Sequence, residues 1–227
     1  MENRIFIDIE TIPPQGGDHL ARIRAGITAP GQYKKPDSIA QWLAENGDSA
    51  AQDEFAKLGL NGLYGEVACL CFAVGDKHIF TRAQINGVTE ESLLREAFAA
   101  IDAAATDEHG YISPLIPVGH NLTDFDLRFL FQRAIRYGIK LPKSLKATYA
   151  TGGRYEVYDT MREWAGYKGY VKLKDLAREL LGDDAKDIDG ADVHRVWFED
   201  PVKVIEHCQM DVVRVRKLYA LMIAVTP

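Results

Sequence analysis

Asp8 and Glu10 interrupt an otherwise apolar run, RIFIDIETIPP, spanning Arg4 to Pro14. Residues two apart on a β-strand share a face, so both carboxylates project to the same side at the strand's end. Like charges that close repel unless something positive lies between them. Two readings are open. Either the strand stops at Pro13 and Pro14 with its acids in water, or the pair holds a divalent metal ion. The same question returns twice. In VGHNLTDFDLRFLF an apolar strand ends in His120 and Asn121, and Asp124 and Asp126 bracket Phe125 at the start of a helical pattern. Taken alone, Asp124 reads as a helix N-cap and Asp126 as a first-turn acid that favours the helix dipole. In the last helical stretch, Cys208, Val212, Val215, Tyr219 and Met222 recur at helical spacing and mark a buried stripe. His207 and Asp211 lie one turn apart beside it, either as an ordinary helical pair or as two groups facing one neighbour.

These residues need elements to hold them. The chain has 227 residues, 47% hydrophobic and 26% charged, enough for a sizeable core and for one globular domain over 1–227. Residues 15–65, rich in glycine, carry two short helical patterns, SIAQWLAENG and SAAQDEFAKLG, and read as a helical insertion after the first strand. EVACLCFAVGDKHIFTR reads as two strands joined by a two-residue turn at Gly75–Asp76. A helix capped by Thr89 follows, then the strand LIPVGHN, a helix closed by Gly138, a loop-rich stretch over 139–170 containing the strand pattern RYEVYDT, the helix KLKDLARELLG and the long final helix. This order implies an α/β fold, a mixed central sheet flanked by helices. No apolar run approaches bilayer length and the N-terminus lacks a signal-peptide pattern, so a cytoplasmic protein without membrane association is expected. The three cysteines, with Cys69 and Cys71 on one strand face, read as small apolar residues rather than as a disulfide framework or a zinc site. A net charge of −6 argues against nonspecific coating of nucleic acid, yet a cluster of metal-binding acids would itself make a nuclease acidic.

In chain order, DIET, then HN with FD five residues on, then a C-terminal helix with a ring three residues ahead of an Asp resemble the DEDD superfamily of 3′-5′ exonucleases. EHCQMDVVRVRKL looks most like the third motif of the proofreading exonuclease of family B DNA polymerases, and YDTM and KLKDLARELLG resemble the segments before it. The resemblance runs from residue 4 to 222, with 15–65 as its poorly matched part, and no polymerase domain is expected to follow. It implies a ribonuclease H-like fold, a free-standing nuclease, and Asp8, Glu10, Asp126 and Asp211 as ligands of two divalent cations, Mg²⁺ or Mn²⁺. Hard oxygen donors suit those ions. The resemblance further assigns Thr11 to the terminal nucleotide, and His120 and Asn121 read as positioning the second motif or the nucleotide, or as polar strand-end residues. One departure stands out: His207 puts His chemistry at a spacing where the resembling enzymes carry Tyr. An imidazole can take or orient the proton of the attacking water.

The expected substrate is the 3′ end of single-stranded DNA, degraded to nucleoside 5′-monophosphates, with separate replication or repair proteins as further partners. The alternatives are an exoribonuclease trimming RNA ends and a catalytically silent nucleic-acid-binding module. Basic residues gather after the second motif, at Arg133, Arg136, Lys140, Lys143, Lys146, Arg154, Arg162, Lys168, Lys172 and Lys174, interleaved with Tyr149, Tyr155, Tyr158, Trp164, Tyr167 and Tyr170. Cations that meet phosphates and rings that stack bases make a single-strand channel, and the same residues also suit a solvated surface. From the insertion, Arg22, Arg24, Lys34, Lys35 and Trp42 are expected to touch the strand.

Overall fold

A computed structural model describes residues 3–145, 157–184, 188–190 and 192–225. The apolar run at the start forms β1, Arg4–Ile12, the middle strand of a five-stranded mixed sheet ordered β3-β2-β1-β4-β5. β1 pairs antiparallel with β2, Glu66–Val74, and parallel with β4, Ile116–Gly119. β3, Phe80–Ala83, extends the sheet beyond β2, and β5, Tyr158–Asp159, extends it beyond β4. The Gly75 turn exists, with Gly75 at φ +57° and Lys77 N–H donating to the Val74 carbonyl. Strand pairing resumes only at Phe72 opposite Phe80, so the hairpin connection is longer than two residues.

Alternation in β1 divides the core. Ile5, Ile7 and Ile9 meet α3 (Glu90–Ala104) and α4 (Asp126–Tyr137) through Leu93, Leu94, Phe98, Phe129 and Leu130. Phe6 and Ile12 meet α7 (Val193–Glu199) and α8 (Pro201–Ala224) through Trp197, Val204, Cys208, Val212, Val215 and Tyr219. Helices thus cover both faces, as a ribonuclease H-like α/β fold requires. The three cysteines are free and buried, all on the α8 side of the sheet. Thr89 caps α3 by accepting from Ser92 N–H, and Gly138 ends α4 in the left-handed region at φ +60°.

Between β1 and β2 lie α1 (His19–Gly26), α2 (Pro36–Lys57) and a 3₁₀ turn, Leu58–Leu60. The two expected helical patterns are one helix that runs through Gly47. A Cβ there would stand 2.5 Å from the Arg24 guanidinium carbon, the movable end of a long side chain. α5 (Thr160–Ala165) and α6 (Leu173–Leu181) complete the fold. Of the RYEVYDT pattern, 154–156 lie outside the described residues, as do Lys146, Tyr149, Arg154 and Tyr155. Among the described residues, no helix is long and apolar enough to cross a membrane.

Candidate metal centre

Four elements converge at the carboxyl end of β1. Asp8 and Glu10 face α8, opposite Cys71 and Cys69 of β2 in the strand register. α8 is fixed over them by the Cys208 thiol, which donates to the Asp8 carbonyl at 3.5 Å. This sets His207 against the acids, with Nε2 3.3 Å from Glu10 Oε1 and 3.7 Å from Asp211 Oδ2. Single ligand atoms of Glu10, His207 and Asp211 all lie within 4.8 Å of one another. From the other side of the sheet, Asp126 opens α4 and its Oδ1 accepts the Ile9 N–H at 3.1 Å. Asp8, Glu10, Asp126, His207 and Asp211 line one cleft of about 410 Å³ together with His120 and Asn121.

Burial and mutual repulsion raise Asp8, Glu10 and Asp126 together. Burial, then the charges of Asp211, Glu10 and Asp126, push the Asp8 carboxyl well above its usual range. Burial pushes Glu10 up to about 8 against the opposing pull of His207. Burial also pushes Asp126 up to about 7, although N–H donors at Asp126 and Ile9 hold it back. Among the described residues, Asp8 Oδ2 is buried with no hydrogen-bond partner. A buried, unpaired carboxylate oxygen facing three further acids is costly unless a cation meets it, so this donor set fits hard divalent metal ions.

The remaining expected residues divide. His120 lines the cleft, but both its ring nitrogens are engaged, Nδ1 with Thr160 Oγ1 at 3.0 Å and Nε2 with the Val171 carbonyl at 2.8 Å. It therefore braces the cleft wall. Asn121 also lines the cleft and takes the left-handed conformation, φ +60°. Thr11 is buried just past a register shift after Glu10 and lines an adjoining groove. Asp124 does not cap α4. Phe125 holds the N-cap position, and the Asp124 carboxylate accepts from Arg162 at 2.7 Å.

Among the basic residues, Lys172 and Lys174 stand at the cleft rim beside Tyr170, ion-paired with Asp189 at 3.2 and 2.9 Å. Trp164, Tyr167 and Tyr170 are exposed. Arg133 is not part of a channel: it is fully buried and pairs with Glu90 at 2.6 Å. Tyr158 packs edge-on against Tyr219 in the core. In the insertion, Arg24 reaches across to Asp48 and the Leu43 carbonyl, Arg22 pairs with Asp18, and Trp42 lies against Tyr33. None of these, nor Lys34 or Lys35, lines the carboxylate cleft.

Two groups escaped the sequence reading. Arg214 is buried and donates from Nη1 to Asp211 at 2.8 Å and from Nε to Asp183 at 2.9 Å, so it orients the last acid. Its spacing three residues after Asp211 was the available signal. Asp159 accepts the N–H groups of Asn121, Thr123 and Met161, capping α5 and shaping the loop that leads to Asp126.

A model of the RNase_H superfamily matches residues 57–223, a span that contains Asp126, His207 and Asp211. No curated protein matches the chain.

Proposed function

Since the chain belongs to the RNase_H superfamily, we propose that it is a metal-dependent 3′-5′ exonuclease acting on single-stranded DNA ends and releasing nucleoside 5′-monophosphates. The observation that carries this reading is the convergence of Asp8, Glu10, Asp126 and Asp211 on one cleft, with an unpartnered Asp8 oxygen inside it. These four carboxylates would hold the divalent cations, Mg²⁺ or Mn²⁺. Bound there, the ions make water a stronger nucleophile and stabilise charge on the phosphodiester oxygens. His207 presents Nε2 to the same space and would take the proton of the attacking water as its oxygen bonds phosphorus, while the 3′-oxygen leaves with the electron pair of its broken bond to phosphorus and takes a proton from solvent. Arg214 keeps Asp211 in place, and His120 holds the wall that carries Asn121. Lys172 and Lys174 offer their charges to phosphates at the rim.

Digestion of matched DNA and RNA oligonucleotides, labelled at either end, tests the reading. With Mn²⁺ the 3′ label leaves at once as a mononucleotide, the 5′ label forms a descending ladder, DNA is consumed faster than RNA, and EDTA stops the reaction. Internal fragments appearing first would refute the exonuclease assignment, and faster loss of RNA would reassign the substrate.

A further inference from the structure

The cleft does not end at Glu10. A second groove of about 460 Å³ starts at Thr11 and Pro13 and runs between the end of α2, the 3₁₀ turn and α7. Gly190 lines both spaces. The groove wall depends on two close approaches. A Cβ on Gly59 would stand 3.1 Å from the backbone of Ile12 and Pro13, and one on Gly65 would stand 2.7 Å from the carbonyl oxygens of Leu58 and Gly59. Glycine at both places lets the turn close against the end of β1 and set Leu60 in the wall.

We propose that this groove is a subsite for unpaired nucleobases of the strand whose phosphodiester lies at the carboxylates, with Phe198 as its stacking face. The proposal rests on the nuclease reading of the adjoining cleft. Continuity is the first argument: a strand with its reacting phosphate beside Glu10 has this groove next to it, past Thr11. Chemistry is the second. Phe55, Ala56, Leu60 and Phe198 supply apolar faces, while Gln52 and His194 supply polar edges. Phe198 and Leu60 are 59% and 65% exposed, large apolar side chains left in water beside a polar site. Charge is the third. Asp53 and Lys57 offset each other, so among the described residues the lining lacks the cationic excess that a phosphate backbone needs, whereas aromatic faces stack any base. A duplex keeps its bases paired inside and cannot fill such a groove.

The test uses the full chain and its Phe198→Ala variant with Mn²⁺, on single-stranded DNA and RNA oligonucleotides carrying one abasic residue at a time near the 3′ end. For the parent, kcat/KM should fall about tenfold at one or two adjacent abasic positions. In Phe198→Ala the intact strand should lose a similar factor, and the abasic penalty at those positions should vanish while any at other positions persists. The exposed location of Phe198 leaves the fold intact, which an unchanged Tm would verify. The DNA and RNA arms show which strand supplies the bases. Equal abasic penalties in parent and variant, with the parent active, would overturn the subsite alone. A parent that self-associates through Phe198, with no abasic penalty, would make the groove an interface between copies and also overturn it. A parent that releases nothing from any strand would overturn the nuclease reading itself, and the subsite with it.

Discussion

Burial sets the behaviour of the acids. Glu10 and Asp126 are pushed to about 8 and about 7 from ordinary values of 4.5 and 3.8, first of all by desolvation. A carboxyl with a raised folded-state pKa keeps a proton that the unfolded chain releases. Its contribution to stability is complete below the unfolded value and is lost as pH climbs through the folded one. The metal-free protein in EDTA should therefore melt at a lower temperature at about pH 8 than at about pH 5.5, a difference that calorimetry would read. Mn²⁺, which binds the ionised carboxylates, should raise Tm most at the alkaline end. A Tm in EDTA that is flat across this range would contradict the buried, unpaired acids. His207 allows a second check, since its Nε2 faces both Glu10 and Asp211. His207→Ala should lose on the order of 10²-fold or more in turnover. His207→Tyr restores a ring at this spacing and should keep most of the activity while altering the acid limb of the pH–rate profile. If both variants match the parent, His207 only braces the acids.

Helices and strands turn distant residues into neighbours, and some of that was legible beforehand. DIET at a strand end, FD at a helix start, and His207 with Asp211 one turn apart each tie the side chain's direction to a short-range pattern. Each pattern alone left a structural reading open, and it was their order along the chain, through the resemblance, that singled out the four acids that line one cleft. Arg133 was misread for a physical reason. Arginine is seldom buried, yet here Glu90 accepts from it through both oxygens, joining α3 to α4, while its Nη1 donates to the Gly62 carbonyl. Arg214 and Asp183 are 31 residues apart and meet only through the packing of α6 and α8, which no local period encodes. α5 and α7, at six and seven residues, are too short to show a helical period. The ion pair can be tested as a device that joins elements. Arg133→Ala should destabilise the protein by about 3–5 kcal/mol in urea unfolding, because it strands a buried charge. Turnover under folding conditions should stay close to that of the parent. Unchanged stability with weakened strand binding would return Arg133 to the substrate.

Across the whole molecule, a parallel and an antiparallel neighbour of β1 place the carboxyl ends of β1 and β4 together, with α4 arriving from one face and α8 from the other. The superfamily match begins at residue 57, so β1 and the helices before β2 largely lie outside it, although β1 carries two of the four acids. The proposed nuclease activity requires these acids to form one metal centre for phosphodiester hydrolysis. It is tested most directly by titrating Mn²⁺ into the parent and Asp8→Ala proteins and assaying both on a single-stranded oligonucleotide. About two ions should bind per parent chain. Asp8→Ala should lose metal binding and on the order of 10³-fold or more in turnover, yet melt no lower than the parent in EDTA because a crowded buried acid is gone. A parent that binds no Mn²⁺ at millimolar concentration, or an Asp8→Ala protein with full turnover, would contradict it.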